Sequence, residues 1–165
     1  MDNQGDNKKG KSPVSFDPDL IGHKFVSFSV EGEPFAKQRP RAARRGRFVT
    51  IYTPRETKQY EAKVRDSYKK RYQNQYIQQE QLTGALTVKI DAVFKIPSNT
   101  SKKTRELMLN NKIQHTKKPD VDNVGKSCLD GMNGIAYPDD AIINKLIVTK
   151  KYGENPRVDI TIIQK

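Results

Sequence analysis

The stretch LTVKIDAVFKI, residues 86–96, decides the fold class. Leu86, Val88, Ile90, Ala92, Phe94 and Ile96 take every second position and are all apolar, the period at which a strand sends its side chains to one face. Such a segment suits the middle of a sheet, and Pro97 stops it. Toward the N-terminus, Val26, Phe28 and Val30 alternate with Phe25, Ser27, Ser29 and Glu31, which predicts a first strand over 24–31, ended by Gly32 and Pro34. Toward the C-terminus, Leu146 to Lys150 and the alternating Val158, Ile160 and Ile162 read as two more strands with GENP as the turn between them. So short a connection predicts an antiparallel hairpin that closes the sheet.

Helical patterns fill the gaps between these strands. Thr53, Pro54 and Glu56 have the spacing of a capping box with proline at the first helical position. Tyr60, Val64, Tyr68 and Tyr72 then recur every four residues as one apolar stripe. The polar run from Gln73 to Gln81 ends that helix. SNTSKKTRELMLNN, residues 98–111, resembles a short helix with a polar start. Val121, Val124, Cys128 and Met132 give a third, with Gly134 a terminator after Asn133. The fold expected is a single α/β domain over residues 23–165, a mixed sheet with helices packed against it. A polar tail over 1–22, with Pro13 and Pro18, has too little apolar surface to offset its own ordering.

Composition narrows the partner. Against 19 Asp and Glu stand 31 Lys and Arg, a formal net charge of +12 in 165 residues, the electrostatic footprint expected for a polyanion such as nucleic acid. No stretch approaches the roughly 20 apolar residues of a membrane span, and no basic amphipathic helix suited to a membrane surface is visible, so a cytoplasmic protein without membrane partners is expected. Cys128 is the sole cysteine, which excludes an intrachain disulfide and a zinc site built on several thiolates; it reads as a small buried residue. The segment AKQRPRAARRGRF, residues 36–48, carries Lys37, Arg39, Arg41, Arg44, Arg45 and Arg47 with no acid among them. It reads as a cationic loop or ribbon for phosphates, flanked by Phe48 and Tyr52. Lys117 and Lys118 extend the candidate DNA-binding set.

Within this basic chain, KPDVDNVGKSCLDG, residues 118–131, sets Asp120 and Asp122 one residue apart with Lys126 one helical turn beyond. Close carboxylates disfavour ionising together unless a cation is shared. Two readings stand at this point. Asp120 or Asp122 caps the third helix, with Lys126 paired to Asp122 at the i,i+4 spacing; or the acids hold a metal ion. YPDDAIINKL supplies a second acidic pair, Asp139 and Asp140, just beyond that helix. Carboxylates without a histidine nearby are hard oxygen ligands suited to Mg²⁺ or Mn²⁺ rather than zinc. Asp120, Asp122, Asp139 and Asp140 are the candidate ligands. An ion so held, on a protein that also grips phosphates, serves phosphodiester hydrolysis, with Lys126 positioning water or meeting the pentacovalent charge.

The combination K-P-D-V-D-N-x-x-K-x-x-L-D-G, a short spacer and Y-x-D-D, with G-E-P-x-x-K-Q-R-P-R upstream, resembles the RusA family of Holliday junction resolvases. The likeness runs from about Phe25 to the C-terminus with its motifs in order. It implies a Mg²⁺-dependent, structure-selective endodeoxyribonuclease for four-way junctions, working as a homodimer in DNA recombination and repair, typically of phage or prophage origin. It also implies catalytic roles for Asp120, Asp122, Lys126 and Asp140, with Asn123 and Asp130 at pattern positions of a structural kind. A nuclease for other branched or forked DNA, and a non-catalytic DNA-binding module, are the alternatives.

Overall fold

The computed structural model describes residues 18–165. Its main elements in chain order are β1 (Lys24–Glu31), β2 (Arg41–Arg45), β3 (Phe48–Tyr52), α1 (Arg55–Tyr72), β4 (Leu86–Lys95), α2 (Lys102–Leu109), α3 (Val121–Met132), β5 (Ile143–Gly153) and β6 (Arg157–Gln164). Four strands make one mixed sheet in the order β1-β6-β4-β5, and β2 with β3 makes a separate two-stranded ribbon. The α/β class and the mixed sheet are as expected. Most of the expected tail lies outside the described residues; its last part forms a short 3-10 turn, Pro18–Leu20, whose Asp19 pairs with Lys89 at 2.8 Å.

β4 lies inside the sheet, parallel to β5 and antiparallel to β6. The closing hairpin expected from GENP is not formed. β6 instead crosses over to lie between β1 and β4, and β5 takes the edge. Burial accounts for the exchange: Val158, Ile160, Ile162 and Ile163 are all buried, which suits an interior strand. β5 carries Lys145, Lys150 and Lys151, and charges of this kind protect an edge from further pairing.

α1 packs on β1 and on α3, and α3 packs on β5. The four-residue stripe is core, as its period predicts: Tyr60, Val64 and Tyr68 are buried, Tyr68 meets Phe28 edge-on at 5.6 Å, and the Tyr72 hydroxyl accepts from Ser27 N at 2.7 Å and donates to Ser27 O at 2.8 Å. The expected capping box is not made. Pro54 stays extended just before α1, without a side-chain cap, and Thr57 on the first turn accepts instead from Gln38 N at 3.2 Å. α2 does start on a side-chain cap, Ser101 accepting from Thr104 N.

Candidate active site at the start of the third helix

α3 owes its position to two glycines. A Cβ at Gly125 would stand 2.9 Å from Val148 Cγ2 on β5, and one at Gly131 would stand 2.7 Å from Val64 Cβ and 2.8 Å from the Glu61 carbonyl on α1. Without side chains there, the helix sits in direct contact with both the sheet and α1. Its apolar stripe, Val124, Cys128 and Met132, is buried, and burial pushes the Cys128 thiol up to about 12, so this cysteine is inert packing. Val121, grouped with that stripe by spacing, is 41 % exposed, because the first turn extends beyond the core. At the far end the Tyr137 hydroxyl donates to Leu129 O at 3.0 Å.

The entry to α3 is held from below. Lys150 Nζ, on β5, donates to the carbonyls of Lys117 and Pro119 at 2.7 and 2.8 Å. His115 is buried with its ring stacked on Phe94 at 4.0 Å and tilted against Tyr152 at 4.9 Å. Burial, with the charge of Lys150 beside it, lowers its pKa. These contacts fix the chain just ahead of Asp120. Sequence alone gives little sign of the Lys150 clamp, since both acceptors are backbone carbonyls.

Asp120 occupies the N-cap position, yet its side chain makes no cap hydrogen bond. Asp122 and Lys126 are exposed on the outer face, and among the described residues they form no ion pair with each other. The capping and pairing tasks that would explain these charges structurally are therefore not performed. Asp139 differs from its neighbour, because its carboxylate accepts from Ala141 N at 2.8 Å and caps the short turn that leads into β5. Among the described residues Asp140 makes no such bond. The acids fall into two pairs, one at the start of α3 and one after the chain has turned back beyond its C-terminus. No three His, Cys, Asp or Glu side chains among the described residues stand together as a ready metal site. The donors at the helix start are hard carboxylate oxygens on an electropositive protein, chemistry that fits a divalent ion completing its shell with water and substrate phosphate.

The segment before the ribbon is strapped onto the outer face of α3. Lys37 N donates to Asn123 O at 2.9 Å, and Ser127 Oγ donates to Phe35 O at 2.5 Å. The Lys37 ammonium already has partners within the fold: it pairs with Asp130, with Glu61 at 4.0 Å. Burial and the neighbouring Asp130 charge raise the Glu61 pKa, which gives that cation a structural task. Arg39 and Lys126 line a cleft of about 140 Å³ between strap and helix, with Lys37, Gln38, Pro40 and Asn123. Beyond the strap, β2 and β3 stand out as a fully exposed ribbon. Arg41 pairs across it with Tyr52, Arg44 with Val49 and Arg45 with Phe48. The cationic ribbon expected from sequence is thus present, and Phe48 is 78 % exposed.

The model of the RusA endodeoxyribonuclease family matches residues 31–163, from the end of β1 through β6. The chain belongs to the RusA family. It is an endodeoxyribonuclease, a hydrolase of phosphodiester bonds, in a family of Holliday junction-resolving enzymes. It is also similar to a protein described as uncharacterized, YqaN of Bacillus subtilis (strain 168), with 32 % identity over 139 residues, 83 % of this chain and 94 % of the relative. In this RusA-family fold the strap brings the upstream G-E-P-x-x-K-Q-R-P-R motif against the helix that carries D-V-D-N. Two motifs some 80 residues apart become one surface, a juxtaposition that the order of motifs leaves open.

Proposed function

We propose that the chain resolves four-way DNA junctions by Mg²⁺-dependent hydrolysis in recombination and repair, with Asp120, Asp122, Lys126 and Asp140 as its catalytic residues. The observation that carries this reading is that Asp120 and Asp122 are used neither for capping nor for pairing at the start of α3, in a chain of net charge +12. Their two carboxylates would hold the ion; Asp140, which does not stand together with them as a ready site, is proposed as a further ligand, while Asp139 caps the turn ahead of β5. A divalent ion, with Mn²⁺ a substitute, supplies positive charge at the phosphate and lowers the pKa of water. In the reaction a water oxygen bonds to phosphorus, one P–O bond to sugar breaks, and a proton passes to the leaving oxygen. Lys126, one turn past Asp122, meets charge that develops only as that bond breaks. The helix N-terminus favours the same carboxylates through its unpaired backbone donors.

DNA is gripped by Arg41, Arg44, Arg45 and Arg47 on the ribbon and by Lys117 and Lys118 ahead of α3, all exposed. Paired incisions need two sites, which a homodimer supplies. No helix among the described residues is long and apolar enough to cross a membrane, and we place the enzyme in the cytoplasm. The test is a synthetic four-way junction beside forked and linear duplex, with and without Mg²⁺, using wild type and Asp120→Asn. Symmetric junction cleavage that needs both the metal and Asp120 is expected. Preference for forks would move the substrate assignment, and wild-type cleavage by Asp120→Asn would return that acid to a structural role.

A further inference from the structure

Two cations on the strap, separated by one residue, have different fates. Both line the cleft beside Lys126, but the Lys37 ammonium is paired with Asp130 and Glu61, while Arg39 forms no ion pair or hydrogen bond among the described residues. No acid lines that cleft. We propose that Arg39 and Lys126 form a clamp for the scissile phosphate, making Arg39 a catalytic residue rather than one more member of the DNA-binding ribbon. This assignment rests on the junction-nuclease reading and deepens it.

The geometry favours Arg39 over the ribbon arginines for this role. The backbone on its N-terminal side is pinned twice, Lys37 N to Asn123 O at 2.9 Å and Gln38 N to Thr57 Oγ1 at 3.2 Å. On its C-terminal side stands Pro40, whose ring fixes φ. Arg39 is therefore presented from a rigid base bound to the same helix that carries Asp120, Asp122 and Lys126. The arginines of β2 and their neighbour Arg47 stand on a ribbon with no buried residue, which suits backbone tracking but not placement to within a fraction of an ångström. A guanidinium offers a planar fork for two phosphate oxygens, and the ammonium of Lys126 acts as a point charge. Together they supply preorganised positive charge where negative charge accumulates in the transition state.

The test compares Arg39→Ala and Arg39→Gln with Arg41→Ala on the full chain, measuring junction affinity and single-turnover cleavage at saturating enzyme. Both Arg39 variants are expected to bind within about threefold of wild type and to cleave at least about tenfold more slowly. A phosphorothioate at the scissile position should slow wild type more than either variant, because the clamp that senses the oxygen is gone. Arg41→Ala should lose affinity and recover its rate at saturation. Arg39 variants that behave like Arg41→Ala, or that cleave at the wild-type rate, overturn the clamp; Arg39→Gln, which keeps side-chain bulk and polarity, guards against a folding artefact in the alanine variant. If wild type cuts no junction with Mg²⁺ or Mn²⁺, the junction-nuclease reading itself fails; if it cuts and Asp120→Asn does not, a normal Arg39 rate condemns the clamp alone.

Discussion

Gly131→Ala tests whether the packing of α1 on α3 is as close as it needs to be. The added methyl would meet Val64 Cβ at 2.7 Å and the Glu61 carbonyl at 2.8 Å, both below any separation that carbon tolerates. One of these is backbone and the other is the branch point of a buried residue, so neither can rotate away. The helices must part. Overpacking of this kind costs about 1–3 kcal/mol, while alanine in a helix interior returns about 0.8–1 kcal/mol relative to glycine. With two contacts this short on groups that cannot yield, the cost falls at the upper end of that range, so the net expected loss is about 2 kcal/mol, which for a chain of this length lowers Tm by about 4–8 °C. Thermal melting followed by circular dichroism reads it directly. Cleavage well below Tm should also fall, because the displaced helix carries Asp120 and Asp122. An unchanged or raised Tm would mean that the two helices have room to spare and that α3 is positioned by the sheet alone.

Lys126→Ala removes an exposed charge that has no ion pair among the described residues, so stability should change by less than about 0.5 kcal/mol. Single-turnover cleavage should fall at least about a hundredfold, or about 2.7 kcal/mol of barrier, with junction affinity near normal. Neutralising Arg44, Arg45 and Arg47 together should flatten the plot of log affinity against log salt by about 0.9 for each phosphate that the ribbon no longer neutralises; an unchanged slope would make the ribbon a solvated surface. Because burial and the Lys150 charge lower the His115 pKa, its contribution to stability is full above the ordinary value of 6.5 and is lost as pH falls through the folded value. Wild type should therefore lose more Tm between pH 7 and pH 5 than His115→Phe, which keeps the stack on Phe94 and Tyr152; parallel Tm profiles would contradict this.

How much of the fold is legible in the sequence depends on the range of the interaction. β1, β4, α2 and the buried stripe of α1 follow from period and punctuation within a dozen residues, and so does the coincidence of Asp120 with the start of α3. The partner of β6 is not legible, because GENP fits a local hairpin as well as a crossover. Ile160, Ile162 and Ile163 decide it, since they need cover that only an interior position provides. Lys37 reads as one of six equivalent cations because its partner Asp130 lies 93 residues away. The candidate acids are visible by type and spacing. Whether they are already occupied is not, since a carboxylate at an N-cap position and a lysine four residues after an aspartate are also what an ordinary stable helix shows.

What separates the two readings of those acids is how the chain distributes its few negative charges. Where the fold needs a buried or half-buried cation neutralised, it supplies acids beside it: Asp130 and Glu61 around Lys37, Asp159 against Arg157 at 3.0 Å, Asp19 against Lys89. At the start of α3 the opposite holds. Among the described residues Asp120 and Asp122 are left without a side-chain hydrogen bond or ion pair, although Lys117, Lys118, Lys126 and Arg39 all lie on the surrounding elements. Surface charges paired in this way are worth little to stability, so their absence costs the fold little. A cation-binding group and a phosphate-binding group that closed on each other would have to separate before either could act. On the function proposed above, keeping them apart on rigid supports, the acids on a helix whose entry Lys150 holds and Arg39 on a strap bound to the same helix, leaves the carboxylates free for a divalent cation and Arg39 free for a phosphate oxygen.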